Sequence, residues 1–500
     1  MNEVTKIDGI GSSVRRTEDK KFLTGKGRYT DDINRPGQVQ AYFLRSDVAH
    51  AEIKSIDTKA AQSAPGVVGV FTGADIAADK VGGPICGWVV PCRDGSSTKE
   101  PPHPLLAQGK VRFVGDAVAV VVAETMEQAK SAAELIDVDY NELTPVVDFV
   151  NADKGAQIHE EVPNNCYFDW ELGDESATNK AIESAAKVVK LSVRNNRLVP
   201  NAMEPRSALA EYDSLDESYT LHTTSQNPHL TRLVLAAFMF AIPESKLRVI
   251  APDVGGGFGS KIYVYIEEAV CVWASKKIGR PVKWTADRTQ AFLTDCHGRD
   301  HVNDVQLALD ENNKIIGLRV DTVCNLGAYL SAFSVVVPTI LHGTLLSGQY
   351  DIPAIYTNVK GMATNTVNVD AYRGAGRPEA TYLLERTMET AAKEVGMDPA
   401  EFRRINFIPK DAFPYQTQVA LQYDIGDYEP HLDKAMEMID YSNFENRRAE
   451  AAKRGMYRGI GMSSYIEACG LAPSAVVGAL GGRVGQWESA SVRVYPTGTI

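Results

Sequence analysis

Asn368-Val369-Asp370-Ala371-Tyr372-Arg373-Gly374-Ala375-Gly376-Arg377-Pro378-Glu379 places two arginines among spaced glycines and runs directly into a helical pattern. Pro378 suits the first helical turn, and Leu384, Met388, Ala391 and Val395 recur at helical spacing until Gly396 ends the run. A helix start carries roughly half a positive charge on its free amides, and beside Arg373 and Arg377 that favours phosphate or another oxyanion. A plain glycine turn before an amphipathic helix is the competing reading of this stretch alone.

A second glycine loop lies upstream. Leu247 to Pro252 reads as a strand, Gly255 to Ser260 as a tight loop and Lys261 to Lys277 as a helix ended by Gly279. The dinucleotide pattern fails, because counting from Gly255 its third glycine falls on Ser260 and no acidic residue stands at a strand end about 20 residues on. The phosphate-loop pattern fails at Ser260-Lys261-Ile262. What survives is a backbone that a ligand can approach closely at Gly256, Gly257 and Gly259, with Phe258 held among them. Thr223-Thr224-Ser225-Gln226-Asn227-Pro228-His229 ends another strand, and Gln226 could donate to an oxygen ligand; a strand-to-helix cap is the alternative. His297 and His301 lie near Asp295 and Asp300, but Gly298 interrupts them and a solvated turn competes with a metal cluster.

Five hundred residues at 44% hydrophobic content allow roughly three domains. A net charge of -12 without a basic tract argues against a nucleic-acid surface. No stretch approaches the roughly 20 apolar residues of a membrane span. Arg15-Arg16 is followed by Thr17-Glu18-Asp19-Lys20-Lys21 rather than an apolar run, so the cytoplasm is expected. The 7 cysteines include no C-x-x-C pair and no zinc or iron-sulfur spacing, so any such centre is expected on another chain.

Residues 37 to 143 read as a compact α/β unit. Its strands are expected at Val39 to Leu44, Val67 to Thr72, Ala117 to Ala123 and Val138 to Leu143. A helix opens at the capping box of Thr125 and Gln128 and carries Ala129, Ala132, Ala133 and Ile136. Thr144 to Trp170 reads as a connecting segment. Asp398-Pro399-Ala400-Glu401 is a second capping box, opening a helix to about Phe407. From about Asp411 a third unit is expected, with a helix near Leu432 to Met438 and a strand at Ser491 to Tyr495, and it reads as cut at Thr497-Gly498-Thr499-Ile500.

Together these pieces resemble the molybdopterin-binding large subunit of the xanthine dehydrogenase and aldehyde oxidase family of molybdenum hydroxylases. The resemblance rests on Gly25-Lys26-Gly27-Arg28-Tyr29-Thr30-Asp31-Asp32, Leu44-Arg45-Ser46, Val114 to Ala119, Met203-Glu204-Pro205-Arg206, Gly255 to Lys261, His297-Gly298-Arg299-Asp300 and Ala371 to Arg377. The branch with separate subunits, which includes the carbon monoxide dehydrogenase-like proteins, is the most similar. It implies a mixed α+β and α/β fold: an a/b hammerhead domain over 20–143, a connector over 144–170, a first molybdopterin-binding domain over 171–410 and an incomplete second one over 411–500. The cofactor implied is molybdenum on molybdopterin, with the cytosine dinucleotide form as one option, and 2Fe-2S and FAD on an iron-sulfur small subunit and an FAD medium subunit in a dimer of heterotrimers. The implied reaction is hydroxylation of a small molecule with water as oxygen source. Gln226 matches a glutamine that hydrogen-bonds an oxo ligand, the backbone of Gly256, Gly257, Phe258 and Gly259 matches the segment against the metal's ligands, and Ala371, Arg373 and Gly374 match the loop beside the metal. Gln226 and Arg373 are the implied catalytic residues, and no protein side chain is expected to ligate the metal.

Two departures qualify this. Copper-containing carbon monoxide dehydrogenases have a cysteine after the loop arginine, and Gly374 stands there; purine-oxidising relatives have a glutamate after the lysine, and Ile262 stands there. An aldehyde or nitrogen heterocycle is therefore expected, with carbon monoxide as the alternative. Family members also continue to a further pterin-binding region and a glutamate base. A fragment of a longer subunit, inactive alone, is expected; a non-catalytic binding or assembly protein of the same fold is the other reading.

Overall fold

The computed structural model of the protein describes residue 9 and residues 12–471, 473–485 and 491–499. Its largest sheet has seven strands in the order Leu247–Ile250, Ser218–Thr223, Ser207–Asp213, Val282–Thr285, Val39–Arg45, Ala117–Ala123 and Val67–Thr72. The expected N-terminal strands are present: Asp137–Glu142 joins a three-stranded sheet with Ala51–Asp57 and Lys110–Val111, whereas the other three enter the seven-stranded sheet. Val39 and Gln40 pair in parallel with Val282 and Lys283, so the sheet continues from the N-terminal unit into the second. Ala117–Ala123, a run of small and branched apolar residues buried on both faces, is the interior strand between Val39–Arg45 and Val67–Thr72.

A second, five-stranded sheet runs Cys166–Gly173, Ile355–Ala363, Ile315–Gly327, His301–Leu309 and Lys187–Asn195. Its first strand begins inside the expected connector, because Tyr167, Phe168 and Trp170 are core residues rather than linker. Helix Met126–Ala133 forms with the expected capping box, and Ile136 lies beyond its end. Helices Arg377–Val395, Pro399–Asn406 and Glu429–Met438 form where spacing and caps placed them. The helix expected from Lys261 begins instead at Ile266, where Glu268 accepts from the Tyr265 N–H at 2.9 Å, and it ends at Gly279. Ser491 to Tyr495 forms no strand, and Ile500 lies outside the described residues.

A buried charge cluster joins the two units. The Arg206 side chain, 4% exposed, donates to Glu267 at 2.8 Å and to Asp295 at 2.6 Å. Its guanidinium lies 3.7 Å from the Tyr265 ring centre and 5.1 Å from that of Trp284. Arg45 of the N-terminal unit reaches the same Glu267 at 2.7 Å. Burial pushes the Glu267 carboxyl up, but Arg206 and Arg45 more than offset this and hold it at about 2.

Because that value lies below the unfolded one, the stability it contributes is present above about pH 4.5 and is lost as the pH falls toward 2. Glu267→Gln is expected to destabilise the chain at pH 7 by about 3 to 5 kcal/mol, since buried Arg45 loses its counter-charge and Arg206 keeps only Asp295. In urea unfolding the gap from wild type should shrink between pH 4.5 and 2; a constant gap would contradict this account.

Candidate active site

Three separate segments of the sequence come into contact, around Gln226, the 255–261 loop and the 371–376 loop. Gln226 follows strand Ser218–Thr223, and the adjoining helix Pro228–Leu233 is capped by the Asn227 side chain rather than by Gln226. The Gln226 N–H donates to Lys261 O at 2.8 Å. Its Oε1 accepts from the N–H groups of Gly259 at 2.9 Å and Lys261 at 3.3 Å. Two fixed donors at the oxygen determine the orientation of the carboxamide. The exposed Nε2 consequently points away from the loop and has no partner among the described residues.

The glycine loop is braced from below. Lys261, 1% exposed, donates through Nζ to Glu204 O at 2.8 Å and Glu204 Oε2 at 3.1 Å. The same carboxylate accepts from Gly255 N–H at 2.7 Å. Burial pulls the Lys261 ammonium down from its ordinary value, and Glu204 opposes that shift. Sequence reasoning assigned neither residue a site role; the only signal was their presence in two of the family-like motifs. Above this brace Phe258 stands 41% exposed, with a φ of 54°.

Loop 371–376 closes onto the glycine loop. The Arg373 N–H donates to Phe258 O at 2.8 Å. Gly259 has a φ of +104°, and a Cβ there would lie 2.3 Å from Ala371 O. Only glycine permits both that backbone conformation and that approach. Ala371 O also accepts from the Tyr263 hydroxyl at 2.9 Å. Asp370 anchors the start of the loop, accepting from Phe333 N–H at 2.8 Å and from the Ser331 hydroxyl; burial pushes its carboxyl up to about 6.

The helix start does not serve as an anion site, contrary to the reading of the opening stretch. Gly376 N–H donates to Glu379 Oε2 at 2.8 Å, so the chain's own buried carboxylate occupies the positive end of the helix. Arg377 is half-buried, donates to Ala375 O at 3.2 Å and faces Glu467 at 3.9 Å. Arg373 is different. Its guanidinium is exposed and has no hydrogen bond or ion pair among the described residues. Gln226 packs on Gly257 and Gly259, Gly256 on Phe258, Gly259 on Ala371, and the Arg373 backbone on Phe258, with Gly374 next in the loop; the Gln226 amide and the Arg373 guanidinium have no partner among the described residues. The histidine cluster does not join them: Asp295 is held by Arg206, and Asp300 accepts from Arg197 at 2.9 Å. Among the described residues no group of three or more His, Cys, Asp or Glu is arranged to hold a metal ion.

Comparison with known proteins accords with this architecture. Residues 24–144 match the a/b hammerhead domain of aldehyde oxidase and xanthine dehydrogenase, and residues 158–407 match the molybdopterin cofactor-binding domain. The chain belongs to the xanthine dehydrogenase and aldehyde oxidase family of molybdopterin-binding large subunits. It is 36% identical to the carbon monoxide dehydrogenase large chain of Hydrogenophaga pseudoflava over 99% of this chain and 62% of that one. It is 33% identical to the nicotine 6-hydroxylase large subunit of Paenarthrobacter nicotinovorans over 98% of this chain and 59% of that one. The crystal structure of quinoline 2-oxidoreductase from Pseudomonas putida 86 superposes with a TM-score of 0.91 at 35% identity, covering 98% of this chain and 61% of that one. The chain thus spans about 60% of the length of these relatives. No helix among the described residues is long and apolar enough to cross a membrane.

Gly259→Ala should lower stability by about 1 to 3 kcal/mol, through a strained φ and a clash with the Ala371 carbonyl. Urea unfolding measures the loss, and limited proteolysis should show new cutting between 368 and 377. A variant as stable and as protected as wild type would mean the two loops do not meet in this way.

Proposed function

We propose that this chain is the part of a molybdenum hydroxylase large subunit that cradles the pterin-bound metal and orients the substrate. The whole protein is read as hydroxylating an aldehyde or nitrogen heterocycle with water as oxygen source and passing electrons to iron-sulfur and FAD subunits in a dimer of heterotrimers. The carrying observation is the contact of Gln226, the 256–259 backbone and the Arg373 backbone with one another, which leaves the Gln226 Nε2 and the Arg373 guanidinium without a partner among the described residues.

The residues present fit the cofactor. A Cβ at Gly256 would lie 2.7 Å from the Phe258 ring and one at Gly257 2.2 Å from Gln226 Oε1, so these glycines seat the two side chains that would face a cofactor, and the Gln226 Nε2, without a partner among the described residues, suits an oxo or pyrophosphate oxygen. A molybdenum centre carried by the pterin supplies the two-electron redox chemistry when bound. The chain's own task is orientation and electrostatics. Gln226 donates a hydrogen bond fixed by its carbonyl contacts, Phe258 offers an apolar surface, and Arg373 places a positive charge where negative charge develops on substrate oxygen. The cytosine dinucleotide form of the pterin, a cytoplasmic location and the limits 20–143 and 411–500 belong to the same proposal, with the boundary between connector and first molybdopterin-binding domain moved ahead of strand Cys166–Gly173.

Carbon monoxide remains the second substrate reading because of the 36% identity to a carbon monoxide dehydrogenase large chain. Gly374 weighs against it. Its φ is +93°, and a Cβ there would lie 2.3 Å from Pro378 Cγ, so a copper-binding thiolate is disfavoured by the backbone as well as missing from the sequence.

Co-expression with neighbouring iron-sulfur and flavin subunits, followed by assay of molybdenum and pterin, tests the reading; a folded complex containing neither would overturn it. In a loaded enzyme Arg373→Ala is expected to lower turnover roughly 10²- to 10³-fold with normal metal content. Unchanged steady-state kinetics would remove that role. Gly257→Val should instead reduce cofactor occupancy, because its Cβ would lie 2.2 Å from Gln226 Oε1 and displace that side chain. Wild-type molybdenum content and stability in this variant would refute the cradle.

A further inference from the structure

The His297-Gly298-Arg299-Asp300 motif is not absorbed by the cradle, yet it runs directly behind the 368–374 segment. His297 N–H donates to Asn368 O at 2.9 Å, and Asp370 N–H donates back to His297 O at 2.8 Å. A Cβ at Gly298 would lie 2.3 Å from that of Tyr372, so the two segments touch. Both Arg299 and Asp300 adopt left-handed backbone, with φ of 67° and 72°. That conformation is uncommon for residues with side chains and persists only where surrounding contacts impose it. Here it turns Arg299 inward beneath the loop.

The Arg299 guanidinium, 8% exposed, makes three contacts there. Nη1 donates to Glu379 Oε1 at 2.8 Å and to Tyr372 O at 3.2 Å, and Nη2 donates to Arg373 O at 2.8 Å. Its plane also lies 4.9 Å from the Tyr372 ring centre. Glu379, 1% exposed, completes the arrangement by accepting from Gly376 N–H at 2.8 Å. One fork thus holds two successive carbonyls and the carboxylate that caps the following helix. Lysine, a point charge without a planar fork, cannot reproduce this set.

We propose that Arg299 and Glu379 form a clamp whose task is to position Arg373. Arg373 is then fixed on both sides of its Cα, with its N–H on Phe258 O and its C=O on Arg299, while its own side chain stays free to meet a ligand. The clamp converts a glycine-rich loop, which would otherwise sample many conformations, into a rigid support for one exposed cation. This inference rests on the role proposed for Arg373, and Arg299 is a positioning residue that touches neither substrate nor cofactor.

A double-mutant cycle in the holoenzyme complex tests it. Arg299→Lys is expected to lower kcat about 10- to 100-fold with little change in KM or molybdenum content. On an Arg373→Ala background the same change should cost nothing further, because the residue it positions is gone. An independent readout needs no cofactor: amide hydrogen exchange across 370–380 of the 500-residue chain should speed by about tenfold or more in Arg299→Lys while the sheets stay protected. Glu379→Gln carries the same cycle and exchange measurement if the lysine variant does not fold. An equal loss of kcat on both backgrounds, or unchanged exchange, would overturn the clamp. If Arg373→Ala itself leaves kinetics unaltered, the catalytic reading fails while the exchange result still decides whether the clamp exists.

Discussion

The site depends on one close approach, that of the Gly259 backbone to the Ala371 carbonyl. Two loops more than a hundred residues apart can share a wall there only because no Cβ stands between them. The contact is doubled by the Arg373 N–H on Phe258 O, and it brings Gln226 along, since the Gln226 carbonyl takes the Gly259 N–H. Each partner in this chain of contacts is held by backbone groups. Their free side-chain ends are left over for a ligand, which is the condition a preorganised site needs.

Around this contact the molecule uses buried, compensated charge at three places. Arg206, Arg45, Glu267 and Asp295 join the N-terminal unit to the second and neutralise one another, so they hold elements in place without leaving an uncompensated charge. Lys261 with Glu204 and Arg299 with Glu379 do the same beneath the two loops. Buried pairs contribute little net stability compared with apolar packing, but they demand definite geometry. Against these compensated pairs stands Arg373, whose guanidinium has no partner among the described residues.

Much of the secondary structure was legible locally. Helix Arg377–Val395 could be read from Pro378, its apolar spacing and Gly396, and helix Pro399–Asn406 from its cap at Asp398. The misses share a cause. Lys261 to Tyr265 has the composition to continue a helix, but the lysine is drawn down to Glu204 and helical structure starts only at Ile266. The strand from Cys166 was hidden because its aromatic residues follow a run of turn formers and are recruited by a sheet whose other strands lie far along the chain. The anion-binding reading of the opening stretch failed because Glu379, three residues past the cap, folds back onto Gly376.

Sequence alone determined the family, the order of the two glycine loops and the absence of a thiol at Gly374, because these are properties of residue identity and spacing. It also named the site residues, through motif resemblance. Tertiary structure decided which of them are free. Arg373 and Arg377 are equivalent in a string of letters, and only the folding of Glu467 and Ala375 about one, and of Phe258 and Arg299 about the backbone of the other, makes Arg373 the exposed cation. Hydrogen-bond satisfaction depends on neighbours in space, and those neighbours come from elements far apart, as with Arg45 and Glu267, separated by 222 residues, which spacing along the chain does not encode.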